Sequence, residues 1–486
     1  MGRWCTAWRR AGSGRAWRPG AGAMAERVPG RRNDSAGGPG RMGWGARPRR
    51  SGGLRQMRQA VRLPRPVVLT GVLAVAVAVP TAVVLPGAAP ARAAGDVPGY
   101  AFADGARRIA GAGRASDAVL LDAGATYRSS LPRNGTLHYR LDLDAASDAY
   151  VSVTAVPGSG EVTAADGVRV FVQDADGGSC GSDSATFGAA RSPRPVTAWA
   201  TREIGTGGTR CQEPGIYYVA VERARPQDSP PEDWDLELTV ATEPRPARTE
   251  PTEAPEAWDS ASPEAVPGEA RPRAGGSGFA DATPLGQGAW STGVRPGQTL
   301  YYKVPVDWGR RIHATAELDG TDEASGYATG ALRLALHNPV RGEVDDAAKG
   351  YTGRPAAVGL APLPPVAYPN RYATSGQVGA MRFAGDYYLV VHLAAQVADD
   401  FGAGPFGLTL RVGLRGTADD GPGYAGEPRP KGVFEVSAQD RAAAPESGGA
   451  DDDLAMKAVA VGGIGTGSLL LAGLTVWTAA ARRRAR

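Results

Sequence analysis

The chain has 486 residues, a formal charge of +4, 68 glycines and 39 prolines, so much of its length is connecting segment and two modest domains fit the rest better than three. The positive charge lies at the ends: residues 1–93 hold seventeen arginines against Glu26 and Asp34, four more arginines close the chain, and residues 94–456 carry a net −16. An acidic body has no clustered Lys and Arg to displace counterions from a phosphate backbone, which excludes nucleic acid as its partner.

In chain order, residues 1–56 combine Gly, Arg and Trp without apolar periodicity and read as a disordered Arg/Gly-rich leader or a misassigned start, Met57 then being the true one. Residues 57–93 have the order of a secretory signal peptide. Arg58, Arg62 and Arg65 precede the apolar run Val67–Val79, Pro80 follows, and Ala91 and Ala93 stand where signal peptidase reads small residues. Val67 to Leu85 is nearly long enough to cross a bilayer, so an uncleaved first membrane helix is the alternative.

Residues 94–241 read as a β-sandwich. Short runs such as Tyr150–Val153, Val168–Val172, Tyr217–Val221 and Leu236–Val240 alternate apolar with polar residues, and each buries one face. Asn134-Gly135, Asp174–Gly178 and Pro214-Gly215 mark turns. Cys180 and Cys211 are the pair of cysteines in the acidic region, and in an oxidising compartment they are expected to form a disulfide, two separately buried thiols being the alternative.

Residues 242–278, rich in Pro and Glu, read as a disordered, semi-extended linker. Residues 279–416 repeat the order of the first module: Tyr302 matches Tyr139 and Tyr387 matches Tyr217, a period of about 165 residues that means tandem domains rather than a solenoid. An acidic stalk is expected over 417–457. Residues 458–481 carry no charge, and 24 residues at about 1.5 Å each cross a hydrocarbon layer of about 30 Å. Arg482, Arg483 and Arg484 in the basic tail, 482–486, hold the C-terminus in the cytoplasm. Gly463 and Gly467 within that helix have the spacing of a small-residue helix-packing interface. The expected fold class is therefore mainly β: two tandem, jelly-roll-like β-sandwich domains joined by a disordered linker, with a signal peptide and one C-terminal transmembrane helix, single-pass in the cell membrane with its bulk outside.

The pattern of Gly, spacer and Tyr139-Arg140-Leu141, then Gly215-Ile216-Tyr217-Tyr218-Val219, then Leu236-Glu237-Leu238 resembles the bacterial pre-peptidase C-terminal domain, and so does its second copy. Pro305-Val306-Asp307-Trp308-Gly309, Ala380–Gly385, Val391-His392-Leu393, Gly463–Gly467 and Val476-Trp477-Thr478 are similar to the C-terminal half of actinobacterial membrane proteins that carry a von Willebrand factor A domain in front. The resemblance covers roughly residues 116–486 and implies a β-sandwich architecture. It does not extend to metal-dependent adhesion: the nearest run to that domain's D-x-S-x-S motif, Asp259-Ser260-Ala261-Ser262, has the wrong spacing.

Chemical motifs reduce to structure. Gly177-Gly178-Ser179-Cys180-Gly181 has the form of a nucleophile elbow, but no helix follows it and a Gly-rich turn is the better reading. His138, His313, His337 and His392 are isolated on or beside strands without metal-ligand spacing. Asp174 and Asp176 suggest calcium, but Ala185 stands where an EF-hand places its bidentate Glu. Asn134-Gly135-Thr136 fits a glycosylation acceptor and is equally a turn, while Tyr139, Tyr217, Tyr302 and Tyr387 are expected in the cores. No catalytic, cofactor or metal residue is expected. The functional expectation is a non-enzymatic cell-surface protein whose modules bind or scaffold an extracellular protein or glycan. The alternative is an accessory subunit of a membrane secretion or protease complex recruited through the Gly463 and Gly467 helix.

Overall fold

The computed structural model describes residues 99–446 apart from 159, 206–208, 256 and 322–325. The expected signal peptide with Ala91 and Ala93, and the expected membrane helix and tail with Gly463, Gly467, Arg482, Arg483 and Arg484, lie outside the described residues. Among the described residues no helix is long and apolar enough to cross a membrane.

Ten strands build the first sandwich: β1 (Arg107–Arg108), β2 (Val119–Leu120), β3 (Thr126–Leu131), β4 (Leu137–Leu143), β5 (Ser147–Val156), β6 (Gly167–Gln173), β7 (Ser179–Thr186), β8 (Val196–Arg202), β9 (Gly215–Arg223) and β10 (Trp234–Pro244). They form sheet I in the order β1-β3-β10-β5-β8 and sheet II in the order β2-β4-β9-β6-β7. The second sandwich repeats the plan with β11 (Arg271–Pro272), β12 (Thr283–Pro284), β13 (Gly288–Val294), β14 (Thr299–Val306), β15 (Arg311–Leu318), β16 (Ala328–His337), β17 (Glu343–Tyr351), β18 (Ala356–Gly359), β19 (Gly385–Leu393) and β20 (Phe406–Arg415). Here sheet III runs β12-β14-β19-β16-β17 and sheet IV runs β11-β13-β20-β15-β18. Adding ten to a strand number in sheet I or II gives its counterpart in sheet IV or III at every position, which is the internal repeat seen as topology.

The period-two pattern explains each core. In β9, Tyr217, Val219 and Val221 enter the first core with Val168, Val170 and Val172 of β6, while their neighbours face away. In the second sandwich Leu332, Leu334 and Leu336 of β16 meet Leu389, Val391 and Leu393 of β19. Each such side chain contributes roughly 1.5–3 kcal/mol when fully buried. Tyr139, Tyr217, Tyr302 and Tyr387 all lie in these two cores.

Two segments differ from the reading of the sequence. Part of the expected linker, residues 259–268, lies over the outer face of sheet IV. Arg311 pairs with Asp259 at 2.7 Å, and Arg411 Nη1 donates to the Val266 carbonyl at 3.0 Å. The expected acidic stalk is, over residues 417–446, a strap across both sandwiches. It bridges Thr242 to Arg429 and Pro246 to Tyr424, buries Phe434 completely, and ends in the helix Ala438–Ala443 with a Ser437/Asp440 capping box. Low apolar content argued for disorder in both segments. They are held instead by backbone pairing, by arginine bonds to carbonyls and by the single deeply inserted Phe434, none of which needs a run of apolar residues.

Candidate functional site

The outward faces of sheets I and III face each other, so the four sheets stack in the order II, I, III, IV. On sheet I the outward positions of β5, β8 and β10 include Asp148, Tyr150, Trp199, Glu237 and Glu243, which a strand pattern places on a wetted face. All but Trp199 are fully or nearly fully buried. The second sandwich answers with arginines. Arg371 binds Asp148 at 3.0 Å and also Glu243, Arg382 binds Glu203 at 2.7 Å, and Arg341 binds Glu237. Tyr150 and Tyr424 both donate to Glu243, at 2.7 and 2.9 Å, and Tyr100 donates to Glu237 at 3.1 Å. Aromatic packing fills the gaps: Tyr150 meets Phe383 edge-on at 5.1 Å and Phe383 stacks on Phe434 at 4.8 Å. Gly342 is required here because a Cβ would come within 2.5 Å of the Trp199 ring.

Burial is the largest influence on the Asp148 carboxyl and pushes its pKa up to about 6, against the opposing pull of Arg371. A carboxyl whose pKa is raised on folding contributes stability fully below its unfolded value, and that contribution is lost as pH rises through about 6. Urea unfolding of wild type and Asp148→Asn between pH 4 and 7 should therefore show a falling component in wild type that the variant lacks. Parallel pH curves for the two proteins would remove Asp148 from this account.

A cleft of about 180 Å³ opens along the same seam, lined by Arg194 and Thr197 from the first sandwich and by Phe279, Tyr301, Arg333 and His337 from the second. Arg194 donates to the Phe187 and Thr186 carbonyls at 2.7 and 3.0 Å, and Arg333 holds Glu343 and Asp346, both at 2.9 Å. His392 is bound on both ring nitrogens, by Thr299 at 3.0 Å and by Ser192 at 2.9 Å, which locks the loop before β8 onto β19.

Of the outer sheet faces, that of sheet IV carries residues 259–268 and that of sheet II is uncovered among the described residues. Sheet II presents Phe171 on β6, Ile216, Tyr218 and Ala220 on β9, and Arg140 and Asp142 on β4. The register sets Tyr218 between Arg140 and Gln173, and Phe171 beside Ala220. Ile216 is 44% exposed, and Arg169 lies 3.9 Å from Glu222 on the same face. The result is a mixed surface on which two half-buried aromatic rings sit diagonally across neighbouring strands, among hydrogen-bonding groups.

Cys180 and Cys211 form a disulfide, with Cα atoms 5.7 Å apart. Ser179 begins β7 after a turn in which Asp174 accepts from the Asp176 and Gly178 amides at 3.1 and 2.6 Å. The groove at Ser179 is lined by Cys180, Thr201, Glu203, Arg210, Cys211 and Gln212, without a histidine, so the residues of a nucleophile elbow are not brought to a base. His313, His337 and His392 are buried on different strands. Sequence reasoning passes over Phe171 and Tyr218, because an aromatic at an outward position of a strand scores as an ordinary β-former. It also passes over the seam arginines Arg371 and Arg382, which lie outside strands.

No protein-family model and no curated protein matches this sequence. Similar solved structures include the CUB1-EGF-CUB2 domain of human MASP-1/3, 8% identical over 59% of this chain and 99% of that one with a TM-score of 0.14. The tandem CBM51 modules of a family 98 glycoside hydrolase from Streptococcus pneumoniae are 8% identical over 60% of this chain and 83% of that one, TM-score 0.17. The tandem CBM22 domain of a Paenibacillus barcinonensis protein is 10% identical over 60% and 92%, TM-score 0.15. At these scores the fold rests on the strand pairing given above, which is that of two β-sandwiches.

Proposed function

We propose that this chain is a non-enzymatic, membrane-anchored surface protein that presents two interlocked β-sandwiches as one body, with the outer face of sheet II as its contact surface for an envelope glycan. The observation that carries the reading is the pairing of the half-buried Phe171 and Tyr218 rings with Arg140, Gln173 and Asp142 on a face that no described segment covers. Aromatic faces take up the apolar side of a sugar ring while flanking amides and guanidinium groups meet its hydroxyls. The small apolar patch and the Arg169 to Glu222 contact within the face favour a hydroxylated chain over a protein partner, which needs roughly 800 Å² from each side. The anchor follows from the uncharged run 458–481 between Asp453 and Arg482.

The test is co-sedimentation of the detergent-solubilised full chain with purified cell-wall polysaccharide. The Tyr218→Ala, Phe171→Ala double variant should bind at least about tenfold more weakly while melting within a few degrees of wild type. Unchanged sedimentation of that variant rejects the face as the contact surface. Polysaccharide cleaved during the assay, with the cleavage abolished by one substitution, rejects the non-enzymatic reading.

A further inference from the structure

We propose that the cleft between sheets I and III is a binding site for a small, neutral, hydroxyl-rich molecule the size of one sugar ring. The site is separate from the outer face of sheet II, so either can fail without the other.

Size sets the first limit. About 180 Å³ corresponds to about six waters at ~30 Å³ each, enough for one ring with its hydroxyls and too little for a chain.

Charge sets the second. The cleft lining carries two cations, Arg194 and Arg333, and two anions, Glu343 and Asp346, and Arg333 already bridges both carboxylates at 2.9 Å. A ligand carrying net charge would upset this overall balance and would surrender hydration on entry.

Polar groups set the third. Tyr301 is 1% exposed, and its hydroxyl makes no hydrogen bond to the described residues. His337 is 6% exposed with Nδ1 at 3.2 Å from the Arg341 carbonyl, so Nδ1 carries the proton and Nε2 is left as an acceptor. Burial holds this imidazole neutral, its pKa lowered to about 4. One donor-acceptor hydroxyl together with one acceptor nitrogen matches vicinal ligand hydroxyls. Phe279, steeply inclined to both rings at 5.1 Å from Tyr301 and 5.5 Å from His337, adds an apolar side chain to the lining.

Both sandwiches contribute to the site, so it exists only while they are locked. Isothermal titration of the detergent-solubilised full chain with glucose and N-acetylglucosamine, beside glucosamine and glucuronate as charged counterparts, tests it. A neutral sugar should bind with saturation and the charged ones at least tenfold more weakly. Tyr301→Phe, which removes one oxygen from a buried ring, should cost roughly 2- to 12-fold in affinity, and Tyr218→Ala should cost nothing. Absence of saturation with both neutral sugars up to 50 mM assigns the cleft to ordered water only and overturns the proposal. Charged sugars binding as well as neutral ones, or Tyr301→Phe binding as wild type, overturns it too.

Discussion

Arg371→Ala is expected to lower the stability of the chain by about 3–5 kcal/mol, because it leaves Asp148 and Glu243 without their cation at a site where all three side chains are buried. The ion pairs differ from surface ones in this respect: an exposed pair is worth about 0–1 kcal/mol, whereas the buried seam depends on each charge being answered. The same reasoning gives the contrasting variant. Replacing the triad by Arg371→Met, Asp148→Leu and Glu243→Leu removes its three charges together and should leave stability near that of wild type, or above it. Tyr150 and Tyr424, which both donate to Glu243, would lose an acceptor in the triple variant and limit the recovery. Urea unfolding followed by tryptophan emission measures both, Trp199 lying at the seam. A single substitution that costs under about 1 kcal/mol would show that water reaches Asp148 and Glu243, and that the ion pairs do not lock the two sandwiches.

Removing the disulfide is the second large effect. Cys180 and Cys211 are separated by 31 positions, and closing a loop of that length stabilises by roughly 3–4 kcal/mol in the chain-entropy picture. The paired Cys180→Ser, Cys211→Ser variant should unfold with a correspondingly lower midpoint. The loss should reach the seam as well, because the segment leading to Cys211 carries Glu203, which binds Arg382, and Ile204, whose amide donates to Asp148 at 2.7 Å. Cys211 itself adopts a left-handed backbone with φ of 59°, a conformation uncommon for a residue other than glycine. Thermal unfolding with and without a dithiol reductant reads the effect directly. Equal midpoints would mean that hydrogen bonds of Arg202 to the Gln212 and Glu213 carbonyls hold the segment unaided.

Alternation in the strands is enough to find the modules and their cores. Tyr139, Tyr217, Tyr302 and Tyr387 read as inward-facing because a period of two fixes which side of a strand a residue occupies, and the structure buries all four. The same rule gives the wrong environment for Glu237 and Glu243. It places them opposite the core of the first sandwich, where they are, but says nothing of a second sandwich covering that face. Strands such as β7, with Ser, Gly and Asp in place of large apolar residues, carry no apolar run and leave no signal. The strap is hidden for a related reason: Phe434 and Tyr424 are two aromatics in a stretch of Gly, Pro and charge, and their burial depends on hollows made by other segments.

By itself the sequence determined what is local or nearest-neighbour: the acidic body between basic ends, the two-module repeat, the turns, the cores of each sandwich and the cysteine pair. Tertiary structure decided how the modules meet. Sheet against sheet, with Arg371, Arg382 and Arg341 reaching across to carboxylates more than a hundred residues away, creates the cleft, while the outer face of sheet II stays uncovered among the described residues. No window of sequence encodes that arrangement. An outward-facing Glu costs nothing in water and requires an arginine only when another surface removes the water, and which surface does so follows from packing alone.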